Sequence, residues 1–271
     1  MSTIVVYNGI MTISEWLNST SKQIDRLDAE LILQQFLEVE DRSYLAAHSD
    51  KILPDTTAIN AQVARRADGE PLAYILSYRE FYGRRFFVTP DVLIPRPETE
   101  TIIDITKKIK PDKILDVGTG SGCIAITLAL ELPTTQIDAI DISDDALRIA
   151  QKNAAHHGVD IAFHKSDLLT NYKPEPGTMI IANLPYVDTN WNWLDHKTLD
   201  YEPGLALYAE QGGLALIYKL IDQTPEGCSL ILEADPSQHK EITEYAAMHN
   251  LILKKQQGFI LLFETQKNGG A

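Results

Sequence analysis

Residues 113–132, KILDVGTGSGCIAITLALEL, contain the pattern that decides the fold class. KILDV predicts a short buried strand and SGCIAITLALEL a helix, with glycines at the turn between them. Outward from this stretch, further strands are predicted at 136–141, 160–167, 178–183 and 228–235, and helices at 143–158, 212–224 and 236–250. The alternation predicts an α/β fold with right-handed crossovers, a mostly parallel sheet and helices on both faces. Residues 251–265 predict an antiparallel hairpin at one edge, turning near Gly258.

The chain before this region has a different character. Residues 1–78 predict a small helical domain with three amphipathic helices. The first begins with capping-box spacing at Thr12 and Glu15, the second has a stripe through Ile24, Leu27, Leu31, Phe36 and Leu37, and the third follows Pro54 and ends near Gly69. No Gly-rich turn and no His or Cys cluster occurs there, so we expect this domain to position something else rather than to carry chemistry.

Residues 79–96 predict a β-hairpin linker that turns at Pro90–Asp91, because aromatic and β-branched residues flank that pair. Pro97 is suited to the first turn of the helix that follows. We therefore expect three parts: a helical domain (1–78), a hairpin linker (79–96) and a catalytic domain (97–271).

Composition and charge exclude several classes of protein. Apolar residues make up 44% of the 271 residues, which excludes a disordered or collagen-like chain. The net charge is −14, so bulk binding of nucleic acid is disfavoured, although residues 79–110 carry a local charge of +2. Cys123 and Cys228 predict reduced core thiols. No signal peptide and no run of about 20 apolar residues is visible, so we expect a cytoplasmic protein without a membrane span.

The glycine-rich turn is the strongest local signal for a ligand. It contains Asp116, Gly118, Thr119, Gly120, Ser121 and Gly122. The dinucleotide fingerprint requires a sixth-position glycine where this chain has Cys123, and the Lys-Ser/Thr pair of a P-loop is missing. The spacing instead resembles motif I of class I S-adenosylmethionine-dependent methyltransferases. That resemblance implies that these six residues wrap the methionine part of the cofactor.

Two further positions after strand ends fit an adenosine-containing ligand. Asp141 ends the strand after the glycine turn, where a carboxylate can accept hydrogen bonds from both ribose hydroxyls. The alternative is a helix N-terminal acid near Ser143, favoured by the helix dipole. Asp167 and Leu168 fall where the methyltransferase resemblance implies contacts with the adenine amine and ring.

The motif Asn183-Leu184-Pro185-Tyr186 follows the strand at 178–183 and resembles the Asn-Pro-Pro-Tyr motif of methyltransferases that act on planar nitrogens. The Asn183 oxygen and the Leu184 carbonyl could accept the two N–H bonds of such a nitrogen and stabilise its developing charge. Tyr186 could pack on the flat substrate group, with Pro185 shaping the turn, and Asn183 could also border the cofactor. The alternative is a purely structural turn with a buried tyrosine.

The run from Phe81 to Glu100, FYGRRFFVTPDVLIPRPETE, is very similar to the signature of the PrmC/HemK family, the N5-glutamine methyltransferases of peptide chain release factors. Residues 201–203 (YEP) and 232–238 (LEADPSQ) also match, so the resemblance covers nearly the whole chain. It implies S-adenosyl-L-methionine as cofactor, S-adenosyl-L-homocysteine as product, a release factor as protein substrate, and no metal. Leu184 stands where the family usually has Pro.

Two other functions remain open at this stage. One is an adenine-N6 methyltransferase for RNA or DNA, favoured by Leu184 and opposed by the acidic charge and by residues 81–100. The other is a catalytically silent module that only senses S-adenosylmethionine, which would have no need of Asn183, Pro185 and Tyr186.

Overall fold

The computed structural model describes residues 11–191 and 199–265 of the chain. Contacts divide the chain into two compact units. Of the described residues, the first unit contains 11–77 and 199–201, and the second contains 78–191 and 202–265.

The described part of the first unit is helical, as predicted. Its helices are α1 (Ile13–Thr20), α2 (Arg26–Phe36), α3 (Ser43–Ala47), α4 (Thr57–Ala67) and α5 (Leu72–Leu76). The capping box is confirmed: the Glu15 N–H donates to the Thr12 hydroxyl at 3.2 Å, and the Thr12 N–H donates to the Glu15 carboxylate at 2.9 Å. The short helices α3 and α5 were not predicted, because five residues are too few to show an amphipathic period.

Helix α2 buries a face other than the predicted one. Ala29, Ile32 and Leu33 are buried, whereas Leu27 is 44% exposed. The Asp25 carboxylate accepts a hydrogen bond from the Leu27 N–H at 2.8 Å and caps the helix, which sets its start. At 100° per residue, positions 29, 32 and 33 share one face and position 27 points the opposite way. The predicted stripe through Leu27 is therefore wrong.

The β-hairpin turns earlier than predicted. Strands β1 (Tyr78–Phe81) and β2 (Arg84–Phe87) pair antiparallel around a two-residue turn. Tyr82 and Gly83 in that turn have φ of 50° and 71°, and a tight hairpin turn of this kind needs positive φ at both positions. Pro90–Asp91 does form a turn, with the Val92 N–H donating to the Thr89 carbonyl at 3.1 Å, but it lies beyond the hairpin. The prediction that the hairpin turns there is therefore wrong.

The second unit contains the predicted α/β arrangement. After the hairpin its strands are β3 (Lys113–Val117), β4 (Gln136–Asp141), β5 (Ala162–Lys165), β6 (Thr178–Ala182), β7 (Ser229–Glu233), β8 (Leu251–Gln257) and β9 (Ile260–Thr265). A 3₁₀ turn at Pro97–Thr99, with Pro97 in its first position as predicted, leads into the first helix. The described helices are α6 (Glu100–Ile109), α7 (Cys123–Glu131), α8 (Asp144–His157), α9 (Gly204–Leu207), α10 (Ala215–Gln223) and α11 (His239–Met248).

The sheet has the strand order β5-β4-β3-β6-β7-β9-β8. The pairs from β5 to β7 are parallel, and β9 pairs antiparallel with both β7 and β8, which confirms the mostly parallel sheet and the edge hairpin. The order reverses between β3 and β6, and a crevice at the carboxyl ends of the strands is expected at such a point.

Helix α11 begins at His239, three residues later than predicted. The Asp235 carboxylate accepts hydrogen bonds from the Ser237 N–H at 2.9 Å and from its hydroxyl at 2.5 Å. This local turn occupies the first three predicted positions, so Pro236 does not open the helix.

Two hydrophobic clusters cover the two faces of the sheet. One joins the hairpin residues Phe81 and Phe86 to α6 and α7, and the other joins α10 and α11 to the opposite face. Both cysteines are buried and free, as predicted. None of the helices in the described ranges is long and apolar enough to cross a membrane.

Candidate active site

A cavity of about 360 Å³ opens at the carboxyl ends of β3, β4 and β6. This volume lies in the range of small-molecule sites. Ten of the thirteen residues predicted for the cofactor and the catalytic motif line it: Gly118, Thr119, Gly120, Ser121, Asp141, Asp167, Leu168, Asn183, Leu184 and Pro185. The other three, Asp116, Gly122 and Tyr186, are not among the lining residues.

The glycine turn uses its backbone donors internally. The N–H groups of Gly118 and Thr119 both donate to the Ile140 carbonyl, at 2.9 and 3.0 Å. The Gly120 N–H donates to the Asp141 carboxylate at 2.9 Å. A phosphate-binding loop must point such groups at its ligand. This loop therefore shapes the cavity wall and leaves these three amides unable to cradle an anion.

Two glycines of the turn are required by close packing. Gly122 has φ of +79°, and a Cβ there would lie 2.8 Å from Ile126 and 3.1 Å from Ala150, so it lets α7 pack against α8. A Cβ at Gly118 would lie 3.1 Å from the Leu184 side chain. The glycine turn and the Asn183–Tyr186 motif thus touch at Gly118, and the cavity walls form one continuous structure.

Asp116 lies beneath the turn. It is fully buried, and its carboxylate accepts a hydrogen bond from the Thr119 hydroxyl at 2.6 Å. Burial raises the pKa of Asp116 to about 7, and the nearby Asp141 contributes in the same direction. The second carboxylate oxygen has no hydrogen-bond partner. Asp116 thus holds the loop from below through Thr119.

Asp141 has the position that both of its predicted roles require. Its two oxygens accept hydrogen bonds from the Gly120 and Ser143 N–H groups, each at 2.9 Å, so it supports both the loop and the start of α8. It also lines the cavity. Burial raises its pKa, and these backbone hydrogen bonds oppose the rise. Each carboxylate oxygen keeps a second lone pair, with which it can accept a ribose hydroxyl.

The predicted adenine-contact pair lies on the same wall. Leu168 is buried with φ of 49°, an uncommon conformation for a leucine, and the Ser166 hydroxyl donates to its carbonyl at 2.6 Å. Asp167 forms an ion pair with Lys219 at 2.6 Å. A strained, hydrogen-bonded backbone at a cavity wall is typical of a ligand clamp.

The Asn183–Tyr186 motif is held from behind by residues distant in sequence. The Asn183 Nδ2 group donates to the Thr99 hydroxyl at 3.1 Å, which leaves Oδ1 as the amide atom for a ligand. The Tyr186 hydroxyl donates to Glu233 at 3.1 Å, and the Gln238 side chain donates to the Tyr186 carbonyl at 2.9 Å. Burial first, and then Glu233, raises the pKa of Tyr186, so this phenol remains protonated.

Sequence reasoning assigned no role to several residues that build this site. Glu202 has a side chain 1% exposed and accepts hydrogen bonds from Arg96 at 2.5 Å and from the Ile94 N–H at 3.1 Å, which fixes one wall. Thr99 and Glu233 also support the site and were likewise given no role from the sequence. These residues fall in the runs at 95–100, 201–203 and 232–238, which resemble the family signature and were the signal that could have indicated them.

The charges of the cavity fit S-adenosylmethionine. Among the described residues, four carboxylates line it, from Asp91, Asp141, Asp145 and Asp167, and one cationic side chain, Arg96. Arg96 is paired with Glu202, Asp145 with Arg148 and Asp167 with Lys219, so the carboxylates of Asp91 and Asp141 give the lining its negative charge. A sulfonium and an ammonium group suit such a lining, whereas phosphates would be repelled. Within residues 11–191 and 199–265, no group of three His, Cys, Asp or Glu residues is arranged to hold a metal ion.

This strand order, with a glycine turn after β3 and an acidic residue at the end of β4, defines a class I S-adenosylmethionine-dependent methyltransferase. Comparison with known proteins agrees. Residues 98–195 match the methyltransferase small domain, and residues 12–76 match the PrmC N-terminal domain. The catalytic domain of hMettl16, crystallised in complex with the MAT2A 3'UTR hairpin 6, shares the fold at a TM-score of 0.56 and 16% identity, over 84% of this chain and 94% of that one.

Two curated relatives define the family more narrowly. The release factor glutamine methyltransferase of Koribacter versatilis is 40% identical over 231 residues, which cover 80% of this chain and 82% of the relative. That of Neisseria gonorrhoeae is 40% identical over 233 residues, which cover 82% and 84%. The chain belongs to the release factor glutamine methyltransferase family, whose methyl donor is S-adenosyl-L-methionine.

Proposed function

We propose that this protein transfers a methyl group from S-adenosyl-L-methionine to the side-chain amide nitrogen (N5) of the glutamine in the Gly-Gly-Gln motif of a peptide chain release factor, in the cytoplasm. The observation that carries the proposal is the placement of Asn183. Its amide lies on the cavity wall formed by the glycine turn and Asp141, and its Nδ2 group is already used by Thr99. The names of the curated relatives support the same substrate.

The cofactor supplies an electrophilic methyl group on a cationic sulfur. An amide nitrogen is a weak nucleophile because its lone pair is delocalised. Asn183 Oδ1 and the Leu184 carbonyl accept its two N–H groups, which aligns the nitrogen and stabilises the positive charge that develops there. The nitrogen lone pair forms the new N–C bond as the S–C bond breaks, and sulfur keeps that electron pair. The nitrogen then loses one proton to water, and S-adenosyl-L-homocysteine is released.

We assign the neighbouring residues supporting roles in the same reaction. Tyr186 packs against the flat amide group, with its hydroxyl anchored on Glu233. Pro185 shapes the cavity wall beside Asn183. Asp141 holds the ribose, Asp167 and Leu168 hold the adenine, and residues 118–121 enclose the methionine part. Asp116 and Gly122 act through the loop that they support.

An assay with radiolabelled S-adenosylmethionine and three acceptors tests this function. We expect label on intact release factor, at the Gly-Gly-Gln glutamine by mass spectrometry, and none on RNA or DNA. Asn183→Ala should lower kcat by about 10²–10³-fold, by analogy with the loss of an oxyanion-hole donor. Asn190→Ala is the matched control, because Asn190 is exposed on the same loop and, among residues 11–191 and 199–265, its hydrogen bonds are local ones to Asp188. Wild-type activity in Asn183→Ala would contradict the proposal.

The adenine-N6 alternative has one observation in its favour, Leu184 in place of the family's usual Pro. The carboxylate-lined cavity and the net charge of −14 oppose it, because both repel a phosphate backbone. We infer that nucleic acid is not a direct substrate. Label on RNA or DNA, with none on release factor, would reverse this choice.

We further propose that the helical domain, residues 1–78, recognises the release factor and takes no part in the chemistry. The described residues that line the cavity belong to the second unit, and the match to the PrmC N-terminal domain falls inside the first. A fragment that begins at Tyr78 should bind S-adenosylmethionine and methylate a short Gly-Gly-Gln peptide as the whole chain does, but lose its preference for intact factor. Full activity of the fragment on intact factor would refute this role.

A further inference from the structure

A buried carboxyl group lies directly behind the Asn183–Tyr186 motif. Glu233 is the last residue of β7, and only 1% of it is exposed. Its Oε1 atom accepts a hydrogen bond from the Tyr186 hydroxyl, whereas Oε2 has no partner at normal hydrogen-bond geometry. No ion pair to Glu233 occurs among residues 11–191 and 199–265. A buried carboxyl group without a cation is costly, so its presence beside the motif calls for a physical reason.

The neighbours of Glu233 connect it to the Asn183 amide. Burial and the nearby Glu98 raise the pKa of Glu233, while the side chains of Thr99, Tyr186 and Asn183 lower it. Thr99 is itself buried, and its hydroxyl accepts the hydrogen bond from Asn183 Nδ2 at 3.1 Å. Its own proton therefore points elsewhere, and Glu233, which neighbours Thr99 and has an oxygen without a partner, is an acceptor available to it.

The direction of hydrogen bonding between Asn183, Thr99 and Glu233 decides which atom of the Asn183 amide faces the cavity. An ionised Glu233 can only accept, so a Thr99 hydroxyl that donates to it has only its lone pairs left for Asn183. The side chains of Thr99, Tyr186 and Asn183 favour this ionised form, and burial opposes it. The Asn183 group that points at Thr99 is then the NH₂, and its oxygen faces the cavity. If the amide rotated by 180°, its NH₂ would face the N–H groups of the substrate glutamine, donor against donor.

We propose that Glu233 is a positioning residue, whose carboxylate acts through Thr99 to hold Asn183 with Oδ1 toward the substrate nitrogen. The inference rests on the proposed function, since it specifies how the same site is oriented. Tyr186 is anchored by the other oxygen of the same carboxylate. One buried group therefore orients both polar side chains of the motif, although it lies 50 residues from Asn183 in the sequence and touches no reacting atom.

Thr99→Val tests this with the smallest change, because it replaces one hydroxyl by a methyl group and leaves the volume unchanged. Thr106→Val is the matched control. Thr106 lies on α6, is fully buried, and its hydroxyl has no hydrogen-bond partner. We expect Thr99→Val to lower kcat by about 10–100-fold, with the KM for release factor and the Kd for S-adenosylmethionine within about twofold of wild type. Thr106→Val should retain wild-type kcat.

Glu233→Gln is the second variant. The carboxamide of the new side chain can donate to Thr99, which would reverse the direction of hydrogen bonding between these residues. This variant should show the same loss of kcat without loss of cofactor binding. The double variant with Thr99→Val should lose no more than either single variant, since both break one pathway. If Thr99 and Glu233 only stabilised the fold, their losses of kcat would add in the double variant, or Thr106→Val would lose as much kcat as Thr99→Val.

The outcomes separate this inference from the proposed function. A wild-type protein that does not methylate release factor refutes the proposed function. A wild-type protein that is active, with wild-type kcat in Thr99→Val or additive losses in the double variant, refutes the positioning role alone.

Discussion

Replacement of Asp141 by asparagine probes the cofactor site most directly, because both oxygens of this carboxylate have defined partners at the cavity wall. One accepts the Gly120 N–H and the other the Ser143 N–H, each at 2.9 Å, and the remaining lone pairs are available to the ribose hydroxyls. Asparagine has nearly the same size but keeps only one acceptor oxygen. Its NH₂ group then faces one of the two backbone N–H groups and one ribose hydroxyl.

The expected loss follows from that geometry. A hydrogen bond to a charged group contributes about 1.5–3 kcal/mol, and Asp141→Asn removes the charge and one acceptor from the ribose. At about 1.4 kcal/mol per tenfold change, the Kd for S-adenosylmethionine should rise by about 10–100-fold. The backbone donor left without a partner should also lower the free energy of unfolding of the ligand-free protein by about 1–3 kcal/mol.

Titration calorimetry with S-adenosylmethionine, and with S-adenosylhomocysteine, measures the change. Asp138→Asn is the control, because Asp138 lies on the same strand, accepts a hydrogen bond from Tyr172, and does not line the cavity. Wild-type affinity in Asp141→Asn, or an equal loss in Asp138→Asn, would refute the assignment of the ribose to Asp141.

Three further predictions follow from the site. Leu184→Pro keeps the backbone carbonyl, so kcat should stay within about tenfold, or ~1.4 kcal/mol of barrier, and a collapse of glutamine methylation would contradict the carbonyl's role. Burial raises the pKa of Asp116 from its ordinary value of 3.8 to about 7. The folded state therefore holds this proton more tightly than the unfolded state, and the resulting stability is complete below pH 3.8 and is lost as the pH rises through 7. Relative to Asp116→Asn, the wild-type free energy of unfolding should therefore fall by on the order of 4 kcal/mol between pH 4 and pH 8 in denaturant titrations, and parallel pH profiles would contradict this. Gly213→Ala should lower kcat more than Gly212→Ala in the same methylation assay, because both have positive φ but only a Cβ at Gly213 would lie 2.0 Å from the Tyr186 carbonyl oxygen. Equal losses would show that backbone strain alone is responsible.

Elements with a strong local signal were predictable from the sequence. Strands β3 and β4 have the predicted bounds because their apolar runs end at charged or glycine-rich turns. The carboxyl ends of parallel strands share one edge, so the positions of Gly118, Asp141 and Asn183 after strand ends were enough to place them in one cavity. Asp116 and Gly122 were assigned to the ligand but are not among the lining residues, because spacing along a turn does not tell which side of it faces the cavity.

Errors arose where two local signals competed. Pro90–Asp91 and Tyr82–Gly83 both resemble turns, and only the second pair has the positive φ values of a tight hairpin. In α2 the predicted face passes through Leu27, whereas the tertiary structure buries the opposite face with Ala29, Ile32 and Leu33. Pro236 resembled a helix start, but the Asp235 carboxylate captures the next turn.

The sequence alone determined the α/β class, the glycine turn, the motif at Asn183 and the resemblance to a methyltransferase family, because each depends on residues close together in the chain. Only the tertiary structure decided how that motif is oriented. Thr99 and Glu233 come from the entry to α6 and from the end of β7, and they meet Asn183 because the sheet places β6 beside β7. Which donor faces which acceptor depends on that meeting, since a hydrogen bond requires atoms within about 3 Å whatever their separation in sequence.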